Sequence, residues 1–426
     1  MTRRLSILLI AVALAQAACS PAPTPTLSPS PEPPSPTPST GASPSTSAAG
    51  DAGATYRAIA AQVAAIRGLD APDRVEPAII DRPTLEKNLE AEFDKDNPAA
   101  EIAKTEAIEK ILQLIPANAS LRDLYVKLQG SQVIGYYDPT AKKLFIVSNS
   151  GGLGPIERLT YAHEFTHELQ DRHFDLNGLG LKDLRDNSDR GLAILSLVEG
   201  DAVSVQTTWM LQNLSPTELG EVAAEASDPA MLAVLASMPP ILLETSLFPY
   251  QAGATFVAGL MAGGDHAAVD AAFARPPAST EQVIHPEKYT AEELPIAVAL
   301  PDGLAAQIGA GTSLEAQDTL GELQLRVWLR ELGTAGDVAR DAAAGWGGDR
   351  VGLFHASAGD VLVMATIWDT LDDARAFKTA AAEALDSIRG GVGIYGPGTR
   401  VAIVIDPAHQ LGSDAMDRIL GTLVPG

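Results

Sequence analysis

The amino-acid sequence predicts an α+β protein that is predominantly helical, with a short hairpin or sheet in its first half and a small α+β unit at its C-terminal end. Three observations carry this. Hydrophobic residues make up 46% of the 426-residue chain and charged residues 20%, the balance of a globular protein with a large core. Aromatics are scarce at 5% while Ala and Gly are plentiful, which favours closely packed helices over a β-sandwich. Apolar residues recur at helical spacing along most of the chain, whereas β-rich runs cluster in a few places.

The first residues stand apart from the fold. MTRR carries two arginines, LSILLIAVALA is a short apolar run, and QAAC presents small residues up to Cys19, the only cysteine. This order is expected of an export signal over 1–18. It resembles a bacterial lipobox, with Gln16 where an aliphatic residue is usual, which implies cleavage and acylation at Cys19; an ordinary secretory signal is the other reading. With one cysteine there is no internal disulfide. Residues 20–50 hold 10 of the 30 prolines, interleaved with Ser and Thr. Such a segment cannot bury a core and favours extended chain, so 19–54 is expected to be a linker. Removing 1–18 takes two arginines and no acid, moving the net charge from −24 to −26. So acidic a chain argues against nucleic acid and against electrostatic adhesion to anionic lipid. Its expected place is outside the bacterial cell membrane, held there by acyl chains.

The elements follow in order. TYRAIAAQVAAIR (55–67) has helical spacing, 74–80 reads as a short strand, and PTLEKNLEAEF and PAAEIAKTEAIEKILQLI read as amphipathic helices. In QVIGYYDPTAKKLFIVSN, β-rich runs 133–137 and 144–147 flank the turn sequence Asp138-Pro139-Thr140, which predicts a hairpin. Helices are expected over 156–171 and 191–210, with apolar helical stretches running to about residue 264. Residues 245–264 are uncharged and as long as a membrane span, but Pro249 and four glycines interrupt them, which favours a buried core helix. From Ser313, helices give way to strand-like RVGLFHAS and DVLVMATIW, a helix DDARAFKTAAAEAL, strand-like RVAIVID and a last short helix. A main domain over 55–312 and a subdomain over 313–426 are therefore expected.

Residues 161–171 read YAHEFTHELQD. On a helix, positions four apart lie about 40° from each other and about 6 Å along the axis. His163 and His167 then share one face and can chelate one zinc ion, with Glu164 beside them to take a proton from water. A catalytic zinc needs a third protein ligand and an open fourth position. Glu199, in LSLVEGDAVSV, is the leading candidate, because small neighbours such as Gly200 would let its helix approach the metal helix; its other reading is a helix acid paired with Arg190. His173 has the metzincin spacing, but Gln170 replaces the glycine that turns that chain back, and a continuing helix leaves His173 about 15 Å from His163. Asp171 fits better as a residue that orients a histidine.

HEFTH followed by EGDA resembles the gluzincin branch of zinc metallopeptidases, whose third ligand is a glutamate on a later helix. HELQDRHFDL, FPYQAGATFVAGL, PPASTEQVIHPEKY and GWGGDR further resemble a family of bacterial extracytoplasmic proteins with that motif, over about 55–410. The resemblance implies a zincin-like domain with a substrate-pairing strand ahead of the metal helix, where the hairpin stands. It also implies Zn(2+) and hydrolysis of a peptide or protein substrate, with Glu164 as general base. His285 and Tyr289, in a Pro-flanked segment, are the candidates to stabilise the oxyanion. Several gluzincins place an aspartate four residues after the ligand glutamate, where this chain has Val203, which leaves Asp171 and Asp201 to orient the histidines. The alternative is a non-catalytic scaffold lipoprotein that retains zinc. An aminopeptidase would need an acidic pocket for the substrate amine, and nothing in the sequence locates one.

Overall fold

A computed structural model describes residues 52–73, 76–147, 153–181 and 184–424. The export signal, Cys19 and residues 20–51 lie outside the described residues, as do Arg74 and Val75 of the expected first strand.

α1 (Ala52–Arg67) begins inside the stretch assigned to the linker and buries Tyr56, Ile59, Ala60 and Val63, one helical stripe. β1 (Ala78–Ile80) is followed by α2 (Arg82–Asp96), whose first turn is fixed by the Asp81 carboxylate accepting from the Thr84 amide and by Pro83. α3 (Ala99–Ile111) and α4 (Leu121–Gln132) come next. The expected hairpin forms from β2 (Gly135–Asp138) and β3 (Lys143–Val147), and Asp138 Oδ1 accepts from the Thr140 and Ala141 amides to hold the turn. β1 pairs parallel with β3, which leaves β2 at an edge of the sheet.

α5 (Pro155–Phe174) carries the HEFTH motif and α6 (Ser188–Asn213) carries Glu199. α7 (Pro216–Ala226), α8 (Pro229–Ala236) and α9 (Pro240–Leu260) follow. α9 spans most of the uncharged run and packs along α6. Among the described residues no single helix is long and apolar enough to cross a membrane. The two helices touch backbone to backbone: a Cβ on Gly200 would collide with Gly253, and one on Gly253 would collide with Ser196. Gly200 thus serves contact with α9 rather than with the metal helix. Short helices α10 (Ala267–Ala274), α11 (Thr280–Ile284), α12 (Pro286–Thr290) and α13 (Leu304–Ile308) lead to the C-terminal unit.

That unit runs β4 (Ser313–Asp318), α14 (Gly321–Glu331), α15 (Gly336–Ala343), β5 (Trp346–Ala356), β6 (Gly359–Trp368), α16 (Leu371–Leu385), β7 (Gly391–Tyr395), β8 (Arg400–Asp406) and α17 (Ser413–Leu423). Its antiparallel sheet has the order β4-β5-β6-β8-β7. Alternate residues serve two cores. Val351, Leu353, Leu362, Met364, Ile403 and Ile405 join the cluster of Trp328, Trp368 and Phe377, while Phe354, Val361, Val363, Ala402 and Val404 join Leu304, Ile419 and Leu420. The edge strands β4 and β7 were not expected; SLEAQD offers only Leu314 and Ala316 as apolar residues and GVGIY carries two glycines.

The unit is sewn to the rest of the chain. α14 packs on α6 and α9 within one apolar cluster. Across the boundary the Asp189 amide donates to the Thr319 carbonyl, Ser188 donates to Asp318, and the Leu323 amide donates to the Thr280 hydroxyl. On either side Asp189 accepts from Thr280, and Asp349 accepts from the Leu320 and Gly321 amides and from Trp346 Nε1. Gly321 has φ +74° with the Asp189 carboxylate against its Cα, a place open only to glycine. The STEQ and GWGGD stretches therefore hold this junction.

Candidate metal centre

α5 starts with Pro155 in its first turn, and Asp175 ends it in the left-handed conformation. Its middle is buried on every side, so His163, Glu164 and His167 all point into protein. α6 crosses it, placing Trp209 in the same apolar cluster as Tyr161 and Phe165 and bringing Glu199 to the two imidazoles.

Three atoms converge there. Nε2 of His163 lies 3.1 Å from Nε2 of His167, and Glu199 Oε2 lies 3.2 Å from the first and 3.3 Å from the second. Ligands of a tetrahedral zinc at about 2.0–2.1 Å stand roughly 3.3–3.4 Å apart, so the triangle has the size such an ion requires. The outer ring nitrogens explain the orientation. His167 Nδ1 lies 2.8 Å from Gln170 Oε1, and the Gln170 amide nitrogen donates to Val198 O and Asp201 Oδ2. His163 Nδ1 lies 3.3 Å from Gln206 Oε1, whose amide nitrogen donates to Leu159 O. Each glutamine thus presents its oxygen to a ring N–H, leaving both Nε2 lone pairs aimed at the common point. Three electron-rich atoms facing one another need a cation between them.

The electrostatics agree. Burial pulls His163 down; at His167 burial is outweighed by Glu199 and Glu164, which leave its pKa at about 9. Glu199, despite burial, is held at about 2 by His167 and His163. The protein alone therefore demands positive charge at the centre of the triangle. Glu164 is 0% exposed, and neither carboxylate oxygen makes a hydrogen bond. Burial pushes its pKa well above the carboxylate range, opposed only in part by His167 and by the nearby backbone of Tyr137 on β2. An orphaned carboxyl beside three converging donors is what a site built around a cation and its water contains, so the donor set fits a metal ion.

Other expected residues are placed differently. Asp171 accepts from the Tyr137 hydroxyl, Lys142 and the Leu176 amide and touches neither histidine. Asp201 acts one step out: it receives Gln170 on one side and the buried Arg67 on the other, and Arg67 also pairs with Asp270. His173 is exposed and contacts the Asp70 carbonyl. Arg190 is exposed at the start of α6 and makes no pair with Glu199. Neither oxyanion candidate joins the cluster of His163, His167 and Glu199. His285 Nε2 lies 3.1 Å from Glu322, which raises its pKa, and the Tyr289 hydroxyl donates to the Arg275 carbonyl while its ring meets Phe256 and the Arg275 guanidinium. A tertiary partner has claimed each of them. The aromatic at the centre is Tyr250 of α9, whose ring stacks over His163 at 6.3 Å. Together with Glu199 it lines a cavity bounded by α2, α3, α4, α6 and α9, which borders neither His285 nor Tyr289. Among the described residues a second acidic cluster, Glu281, Glu293 and Asp369, is already satisfied by Lys288 Nζ.

Sequence signals for the missed residues existed but were faint. Gln170 follows His167 by three and Gln206 follows Glu199 by seven, spacings that share a helix face. Tyr250 lies in the apolar FPYQAGATF stretch, where helical spacing alone gives it no more than a core role.

Compared with known families, residues 311–410 match the profile of a domain of unknown function, DUF8575. The match covers the C-terminal unit from β4 through β8, without α17, and includes none of His163, His167 and Glu199. No curated protein and no solved structure matches the chain.

Proposed function

We propose that the chain is a zinc-dependent peptide hydrolase of gluzincin-like design, with His163, His167 and Glu199 holding the ion and Glu164 as general base. The observation that carries this reading is the Glu164 carboxyl, fully buried and without a hydrogen-bond partner beside the three converging ligand atoms. A structural zinc site closes with four protein ligands and has no use for such a group, whereas hydrolysis requires it. Two imidazoles and a carboxylate are the donor set of catalytic zinc. When bound, the ion supplies Lewis acidity for the scissile carbonyl and for water. Glu164 takes the proton of the attacking water and returns it to the leaving amine. Gln170 and Gln206 keep the imidazoles in register, and burial excludes bulk water. The backbone of Tyr137, on edge strand β2, faces Glu164, a position suited to pairing with an extended substrate. Export and membrane attachment through Cys19 complete the proposal and rest on the leader sequence alone.

Glu164→Gln is expected to retain zinc, measured by elemental analysis, and to lose casein hydrolysis by about two to four orders of magnitude. Glu199→Ala is expected to lose zinc. Full activity in the Glu164→Gln protein sinks the mechanism.

A further inference from the structure

The cavity that reaches Glu199 continues along one face of α6. Ser188, Leu192, Leu195 and Glu199 line it in turn, and eleven residues at 1.5 Å rise make its length along α6 about 16 Å. Its far end is acidic. Among the described lining residues stand the carboxylates Glu92, Asp96, Glu109 and Asp318 besides Glu199, against a single cation, Arg185. Asp318 is satisfied within the protein, accepting from the Ser188 amide and hydroxyl and from the Thr319 amide.

Glu109 is not. It is 9% exposed, lines the cavity, and its Oε2 is buried without a hydrogen-bond partner. Lys110, next in sequence, pairs with Glu106 instead. Burial, then Asp318 and Glu106, push the Glu109 carboxyl up to about 8, and no described basic side chain pairs with it. A buried carboxylate lacking a partner is costly, and the missing partner is a cation.

We propose that this cavity recognises an extended peptide through one basic residue, whose ammonium or guanidinium group pairs with Glu109 beside Asp318. The inference rests on the hydrolase reading, since Glu199 marks where cleavage occurs. Extended chain rises about 3.3 Å per residue, so 16 Å places the basic residue about four or five positions from the scissile bond. That separation is too long for the free amine of a residue being cleaved off, which favours cleavage within a chain over aminopeptidase action. Apolar walls from Phe93, Leu192, Leu195 and Ile241 suit the stem of a long side chain.

The test reads binding rather than turnover. Zinc-loaded Glu164→Gln protein is titrated with fluorescein-labelled, N-acetylated peptides of about twelve residues in which one lysine, or its uncharged isostere norleucine, is moved through the sequence. Lysine at one register is expected to bind at least about tenfold more tightly than norleucine there, an advantage that shrinks at high salt and falls to about one when Glu109→Gln is added. Should that double variant fail to fold, judged by its thermal melt, the ratio and its salt dependence in the parent protein decide. A tenfold gain on removing the acetyl group from the norleucine peptide would overturn the side-chain assignment in favour of a terminal amine. Equal binding of lysine and norleucine peptides at every register, acetylated or not, overturns cation recognition altogether. Failure of the wild-type protein to cleave any peptide would sink the hydrolase reading separately, because the binding ratio does not depend on it.

Discussion

Gln170 and Gln206 hold the imidazoles of His167 and His163 through neutral amide oxygens where many zinc sites use carboxylates. The choice has an electrostatic consequence: with Glu164 and Glu199 already buried beside the histidines, two further carboxylates would add uncompensated charge. Gln170→Ala removes the partner of His167 and leaves the Val198 carbonyl and Asp201 short of a donor. Zinc affinity is expected to fall about 10–100-fold, read by competition with a chromophoric chelator. A change below about threefold would mean that backbone packing alone orients the ring. At this scale the shared face of His163 and His167 was legible because helical spacing fixes which side chains lie together. His285 and Tyr289 were not, because their partners Glu322 and Arg275 are set by tertiary packing that loop spacing does not encode.

Among the elements, the crossing of α6 and α9 sets where Glu199 stands. Gly200, the residue after Glu199, meets Gly253 with no room for a methyl group on either side. Gly200→Ala is expected to destabilise the protein by about 1–3 kcal/mol, despite the gain in helix propensity, and to weaken metal binding by displacing Glu199. Gly259→Ala, on α9 with open space at the added carbon, is the control, expected to melt at or slightly above the wild-type temperature. If both variants melt alike, the close crossing does not constrain the site. Long amphipathic helices and the hairpin were readable as patterns. β4 and β7 were not, because an edge strand needs only a neighbour's backbone and bears little of the apolar alternation that marks a central strand.

For the whole molecule, several buried acids titrate abnormally in the same direction. Burial lifts Glu109 to about 8, Glu281 to about 7 and Asp349 to about 6. A carboxyl whose pKa is raised on folding binds its proton more tightly in the native state, so its stabilisation is complete below the unfolded value and lost as pH rises through the folded one. Stability of the metal-free protein is therefore expected to fall between about pH 5 and pH 8, by up to roughly 1.4 kcal/mol per pH unit for each group while it titrates. Urea unfolding in the presence of chelator tests this, and Glu109→Gln is expected to flatten the slope; a rise in stability over that range would refute the assignment.

The boundary near residue 312 was legible as a change of pattern, yet nothing in the pattern showed that tryptophans beyond it pack into the same core as α6 and α9. A chain severed at that point would split one interior into two sticky surfaces and strip Asp189 and Asp349 of their shared neighbourhood. The stretch 311–410, which a family profile matches by itself, shares its interior with α6 and α9 in this chain. Grafting it elsewhere would require carrying along a surface that fits α14, so its sequence must answer to α6 and α9 as well as to its own sheet.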